Sequence, residues 1–380
     1  MTIRTVVSVI VVCLAIASVA VEGPVRAAPY FAVTSTRDAV DATPGDGQCA
    51  TVAGECTLRA AIQETNALPG ADTIVVPGAV YMLTIPGPGE DAAATGDLDI
   101  TGDLTIRGAG PHATIVDGGG LDRVFHIPAP VTVTIQGMTV RHGAVAAQND
   151  SGGGIFNGKV NQKAGFLKLI NVTLTGNTAL FGGGLMNGWG ASAMLRGVTA
   201  SMNSAAYGAG LYTRDTGTVR VFNSTFSNNT ASAGGGGIDT WFNADVSLTN
   251  VTIARNSAVI GAGINREVTT RLVTLASTIV ADNAGGNCAG VIVSAGYNLA
   301  SDATCSLTQP TDLPRRNALL GPLQDNGGPT PTHALLTGSP AIDAGGTATC
   351  LSTDQRYYLR PTDGNGDGIA ACDIGAYEKG

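Results

Sequence analysis

The chain has 380 residues, enough for a long repeat architecture, and carries a formal net charge of −8 with only 13% of residues charged. A nucleic-acid binder normally shows a basic stripe, and none is visible along this sequence, so nucleic acid is not expected as a partner.

Arg4 precedes an apolar run from Val6 to Val21, followed by Val25-Arg26-Ala27 among small residues. That is the pattern of a secretory signal peptide over residues 1–27, too short for a comfortable membrane span. No second hydrophobic segment follows, so the mature chain is expected to lack a transmembrane segment and to be secreted or held at the cell surface. Six cysteines remain beyond Cys13: Cys49, Cys56, Cys288, Cys305, Cys350 and Cys372. An even count in an exported chain favours disulfides. Closeness in sequence favours Cys49–Cys56, Cys288–Cys305 and Cys350–Cys372 among the possible pairings. A cysteine metal site would want tighter spacing or accompanying histidines, and His112, His126, His142 and His333 are scattered.

Residues 28–70 read as a distinct N-terminal unit. Within it Leu58, Ala61, Ile62 and Thr65 share one helical face. A stacked β architecture has an open end, and a short amphipathic helix is a reasonable cap for it. From Thr73 the strands are clear but loosely spaced: Thr73–Val76, Asp97–Arg107, Thr114–Ile127 and Val131–Val140.

From about Gly143 the sequence repeats. Asn177, Asn203, Asn229, Asn256 and Asn283 are separated by 26, 26, 27 and 27 residues. An apolar column, Leu174, Ala200, Phe226, Ile253 and Val280, stands three residues before each asparagine. Glycine-rich turns precede Ile155, Leu185, Leu211, Ile238 and Ile264. Such a period marks a stacked architecture. The units are rich in Val, Thr, Ile and Gly, which favours strands. Apolar residues alternate, then slip: Val246 and Leu248, then Val251 and Ile253. A three-residue step in a period-two strand needs a bend if both pairs face one core. A strand, a bend, another strand and a return after about 26 residues describe a coil of a parallel β-helix, expected over residues 71–300. Asparagines stacked about 4.8 Å apart can hydrogen-bond along the stack. Outward columns of Thr173, Thr199, Thr225 and Thr252, with Thr175, Ser201 and Ser227, break at Ala254 and Ile279. Flat Thr arrays of this kind are a possible ice-binding face. Asn171, Asn223, Asn228 and Asn250 sit in glycosylation sequons, which corner packing also explains.

Residues 301–380 turn to Pro, Gly and Asp and are expected to wrap and close the other end. Asp363, Asn365 and Asp367 occupy positions 1, 3 and 5 of a calcium-type loop, with Gly368 at 6. Ile374 at position 12 excludes a full EF-hand. The carbonyl of Ile369 and the carboxylate of Asp373 can complete a shorter structural Ca²⁺ site.

Cys56-Thr-Leu-Arg-Ala-Ala-Ile-Gln-Glu-Thr-Asn66 resembles the motif of CSLREA-domain bacterial exported proteins, departing from it at Ala60, where the pattern has Glu. The stretches Asp325–Gly345, Asp354-Gln-Arg, Arg360-Pro-Thr-Asp-Gly and Cys372-Asp-Ile-Gly-Ala-Tyr-Glu378 resemble the choice-of-anchor Q domain. The Gly-Gly-x-Ile turns, and Phe226-Ser-Asn-Asn229, resemble repeats of polymorphic outer-membrane proteins. Together these cover nearly all the mature chain and imply an exported right-handed parallel β-helix. They imply no chemistry.

The expected function is therefore a cell-surface or extracellular binding or adhesin-like scaffold without catalysis, with a polysaccharide or a cell-surface molecule as partner. The alternative is a polysaccharide lyase or glycoside hydrolase of the pectin-lyase-like type. Trp189 and Trp241 are candidates for stacking on sugar rings, with Asp239 close to the second. Ser339, His333 and Asp343 make a poor triad, since no nucleophile elbow surrounds the serine. An enzyme should show clustered carboxylates and a basic residue in one groove.

Overall fold

The computed structural model describes residues 30–145, 151–159, 165–267 and 271–380; the expected signal peptide lies outside them. Among the described residues there is one α-helix, Leu58–Ala67, one short 3-10 helix, Thr347–Thr349, and otherwise strand, turn and irregular chain. No helix among them is long and apolar enough to cross a membrane.

Strands stack in parallel from coil to coil. Thr218–Ser227 pairs with Asp245–Ala254 in register, Val221 opposite Leu248 and Phe226 opposite Ile253. The pairing builds a long sheet from Tyr30–Ala32 to Leu313–Pro314, and a shorter one from Leu98–Asp99 to Cys288–Ala289. The architecture is a right-handed parallel β-helix. The interior is a stack of fully buried aliphatics such as Leu169, Leu195, Val221 and Leu248, each 0–1% exposed. Each such side chain contributes roughly 1.5–3 kcal/mol relative to leaving it in water.

The slip in apolar spacing is a corner. Asn250 has φ 54°, and the residues at the same place in other coils are Gly137, Asn171, Gly197 and Asn223, all with positive φ. Gly and Asn enter this left-handed conformation at least cost. The corner swings the strand, so Leu248 and Val251 face one interior. A second corner, also at positive φ, precedes each stacked asparagine: Gly176, Met202, Asn228, Arg255 and Asp282.

At that corner the Asn203 side-chain amide donates to Asn229 Oδ1 at 3.0 Å, and its backbone N–H donates to the same oxygen at 3.1 Å. The same pair of bonds links Asn177 to Asn203, Asn229 to Asn256 and Asn256 to Asn283. Asn283 passes the amide bond on to Asn287. A second, shorter series joins Asn157 to Asn187 inside the short sheet.

The helix Leu58–Ala67 is capped by Thr57, whose hydroxyl accepts from the Ala60 N–H. It closes the N-terminal end, with Leu58, Ala61 and Ile62 fully buried. Ala60 is buried and apolar, and the charge pairing comes instead from Arg59. Its guanidinium meets Asp38 and the carbonyls of Ala93, Gly96 and Asp97. Two sequence spans read as single strands are each divided. Asp97–Arg107 contains Leu98–Asp99 and Asp103–Gly108, and Thr114–Ile127 contains Ile115–Asp117 and Phe125–Ile127. Gly119 and Gly120, both at positive φ, turn the second of them. The bridges are Cys49–Cys56, Cys288–Cys305 and Cys350–Cys372.

The expected end closure holds for the start of the tail: Cys305 and Leu307 join the interior, and Leu313–Pro314 adds the last strand. The rest corrects it, running back along the side of the coils as a strap. Ala254, Ile279, Ala281 and Leu299 face outward and are covered by Leu320, Leu335, Ala341 and Ile374 of the tail. The Thr column is covered as well: Thr199 donates to the Pro331 carbonyl, Thr225 to Gln355 Oε1, and Thr252 Oγ1 accepts from the Ala376 N–H. Thr199, Thr225 and Thr252 are at most 2% exposed, which removes the ice-binding face. The corner asparagines Asn171, Asn223 and Asn250 donate to Tyr357, Thr353 and Thr349 of the strap.

Candidate functional site

Of the outward faces that the strap leaves open, two carry grouped charged or aromatic side chains. On the long sheet, outward side chains alternate with the buried aliphatics. Lys168, Arg196 and Arg220 come from three consecutive coils and are half-buried to exposed. Among the described residues none of the three has an ion-pair or hydrogen-bond partner. Ile170, Met194 and Phe222 lie between them. Two cavities follow this surface and share Phe222. One, about 440 Å³, lies between Lys168, Arg196 and Tyr357 of the strap. The other, about 580 Å³, is lined by Arg220, Ser247 and Arg271, with Asp245 as its acid. The face can hold an extended anion, with apolar patches for the less polar parts of that ligand.

The short sheet presents a different surface. Its outward register is Asp99, His126, Phe156, Met186, Tyr212, Asp239 and Asn265, one residue per coil. This row is covered from both sides. Arg214 is sandwiched between Trp189 and Trp241, its guanidinium carbon 5.0 and 4.5 Å from the ring centroids. On the other side Phe181 stacks on Tyr207 at 5.6 Å. Between the walls is a cavity of about 230 Å³, bordered by Tyr212 and Glu267.

Asp239 belongs to this row, yet the flanking side chains leave it 0% exposed. Its Oδ2 accepts from Asn265 Nδ2 at 2.9 Å, and its Oδ1 has no partner. Burial pushes its pKa up to about 8, so the carboxyl is neutral at pH 7. Burial also raises Tyr212 and Glu267. The coil position held by Tyr207 is Gly234 in the next coil. A Cβ at Gly234 would sit 2.7 Å from Asn265 Nδ2 and 3.0 Å from Asp239 Oδ2, so the missing side chain leaves room for this buried pair.

The expected sugar-stacking tryptophans each give one ring face to Arg214 and are half-buried. Asp363, Asn365 and Asp367 lie on an exposed loop and accept the loop's own amides: Gly366 and Gly368 donate to Asp363, Asp367 to Asn365, and Ile369 to Asp367. Asp373 is turned inward, its two oxygens taken by the amides of Asp343 and Lys379. It does not converge on the loop, because burial in the strap commits it to those amides and raises its pKa to about 7. His333 binds Ser227 and the Gly321 carbonyl, while Ser339 donates to Ala318, so no triad forms.

Two features were missed in the sequence. The cations Lys168, Arg196 and Arg220 are 28 and 24 residues apart, one coil plus or minus two, so they escape a search at constant spacing. Asp99 and His126 are 27 residues apart, one coil, and a search of outward positions at the repeat period would have paired them.

No protein-family model matches the chain, and no curated protein matches it. Among solved structures, the crystal structure of pectate lyase Pel9A is similar, with a TM-score of 0.45 and 15% identity over 92% of this chain and 98% of that one.

Proposed function

We propose that this protein is an exported β-helix that binds an anionic polysaccharide along the long-sheet face. The observation that carries the reading is charge placement. A chain of net charge −8 sets Lys168, Arg196 and Arg220 on one face without acidic partners among the described residues. Unpaired cations on a rigid sheet, with apolar side chains between them, suit repeated carboxylates or sulfates on a sugar chain. Three disulfides and the N-terminal apolar segment support export. The likeness to CSLREA-domain and choice-of-anchor Q proteins belongs to the same proposal.

The test is retention on an immobilised polyuronate, a neutral glucan and duplex DNA at low and high salt. Polyuronate binding that weakens with salt is expected. Equal binding to the neutral glucan, or preference for DNA, would overturn the reading.

A second reading, cleavage of the bound chain, is favoured by Glu267 and Arg214 at the cavity of the short-sheet face, with Asp239 buried behind them. A hydrolase needs two carboxylates flanking a cleft. Release of reducing or unsaturated ends from polyuronate, lost in Glu267→Gln, would establish it.

A further inference from the structure

At the N-terminal head of the short-sheet row, His126 Nδ1 lies 2.9 Å from Asp99 Oδ1 and 3.6 Å from Asp91 Oδ1. The other ring nitrogen, Nε2, is 3.1 Å from the Gly158 carbonyl oxygen. A carbonyl only accepts, so Nε2 carries the hydrogen. In the neutral ring Nδ1 is then a bare lone pair, and the atoms in front of it are carboxylate oxygens, which accept as well. His126 is 6% exposed, so its ring is largely withdrawn from bulk water. Three acceptors converge on one point with no donor among them. A point of that kind is filled by a proton or by a metal cation.

The far side of each group is anchored. Gly158 holds His126 Nε2, the Ala93 N–H donates to Asp99 Oδ2 at 3.1 Å, and the Lys159 ammonium holds Asp91 Oδ2. Partners of this kind orient metal ligands and fix the histidine tautomer. We propose that Asp91, Asp99 and His126 form a binding site for a divalent first-row transition metal, with zinc the best fit. Zinc bonds of about 2.1 Å meeting at roughly 90–120° place neighbouring ligand atoms roughly 3.0–3.6 Å apart. The observed 2.9 and 3.6 Å match that span. Calcium and magnesium prefer all-oxygen shells, whereas zinc takes imidazole with carboxylate. Three protein ligands leave a fourth position. The Asp91 side chain is 41% exposed and borders a cavity of about 350 Å³, so that position is open to solvent. The His126 ring stacks on Phe156 at 5.0 Å, which puts the centre at the start of the aromatic row.

The experiment uses the full mature chain with its disulfides intact, stripped with chelator and titrated with Zn²⁺ alone by calorimetry. Bound metal is counted after gel filtration. One zinc per chain is expected, and Co²⁺ in its place should show the visible absorption of a four-coordinate site. Loss of a direct ligand costs at least as much as loss of an outer-shell partner, so His126→Gln should weaken zinc binding by about 100-fold or more and Asp91→Asn by about 10-fold or more. Asp91 is partly exposed, so Asp91→Asn should keep the metal-free melting temperature and separate metal loss from misfolding. Absence of retained zinc in the wild type, or wild-type zinc affinity in both variants, would overturn the site. The three acceptors would then share a proton.

Discussion

The two open faces of this β-helix are built on the same coils and share the same interior, yet they solve opposite problems. On the long sheet the outward residues are spread out, cationic and uncompensated. On the short sheet they are crowded, aromatic and acidic, and nearly every polar atom is covered. The difference lies in what flanks each sheet. The long sheet meets only the edge of the strap, so Lys168 stays half-buried and Arg220 exposed. The short sheet is walled on both sides by flanking side chains, Phe181 and Tyr207 on one and Trp189, Arg214 and Trp241 on the other. A repeat therefore fixes what points inward, while the residues at the strand ends decide whether an outward position becomes a binding surface or a second small core.

Because both faces hang on one interior, the largest expected effect comes from breaking that interior. Asn229→Leu leaves the Asn203 N–H and side-chain amide without their acceptor and the Ala200 carbonyl without its donor. The cost is about 1–3 kcal/mol for each unpaired group. Asn228 is exposed at φ 56°, so Leu there would bring strain of its own, and Asn228→Gly is the cleaner control. Thermal melts should show a large loss for the first variant and little for the second. Equal shifts would remove the ladder as a source of stability.

An intermediate effect is confined to the short-sheet face. Asp239 rises from 3.8 to about 8 on folding, through burial first. The folded state thus holds a proton that the unfolded state releases between those values. Stability from this group is fully present below pH 3.8 and is lost as pH rises through about 8. Asp239→Asn keeps an acceptor for Asn265 and places an N–H where the proton sat. It should remove a slope of about 1.4 kcal/mol per pH unit from the stability curve across that window. Denaturant melts from pH 5 to pH 9 would read it, and a variant with the wild-type slope would show that Asp239 is ionised when buried.

The smallest effect is expected in the strap. The carboxylates of Asp363 and Asp367 already bind the loop's own amides, so calcium adds little to its shape. Millimolar calcium should raise the melting temperature by no more than about one degree, and Asp367→Ala should abolish that rise. A shift of many degrees would mean that the loop rearranges around the ion.

The coil, its period and its corner were legible because interior positions repeat: Leu174 to Val280 stay apolar in the shared core, and Asn177 to Asn283 keep one residue type. The helix was legible from Leu58, Ala61 and Ile62. The strap was half legible, since the Thr column breaks at Ala254 and Ile279, where outward apolar side chains demand a cover. The reading as an end closure missed the strap because nothing in the tail's composition says which surface it covers. The cations and the Asp99–His126 pair stayed hidden because outward residues repeat in position without repeating in type.

The central claim is that ligand binding belongs to the long-sheet face. It is tested most directly by comparing polyuronate affinity in a Lys168→Gln, Arg196→Gln, Arg220→Gln triple variant with that in Arg214→Gln. At about 1 kcal/mol for each lost charge contact, the triple variant should bind about 100-fold more weakly and lose most of its salt dependence. Arg214→Gln should bind as the wild type does. A triple variant that binds normally, or an Arg214→Gln that does not, would contradict the account and move the ligand to the short-sheet face.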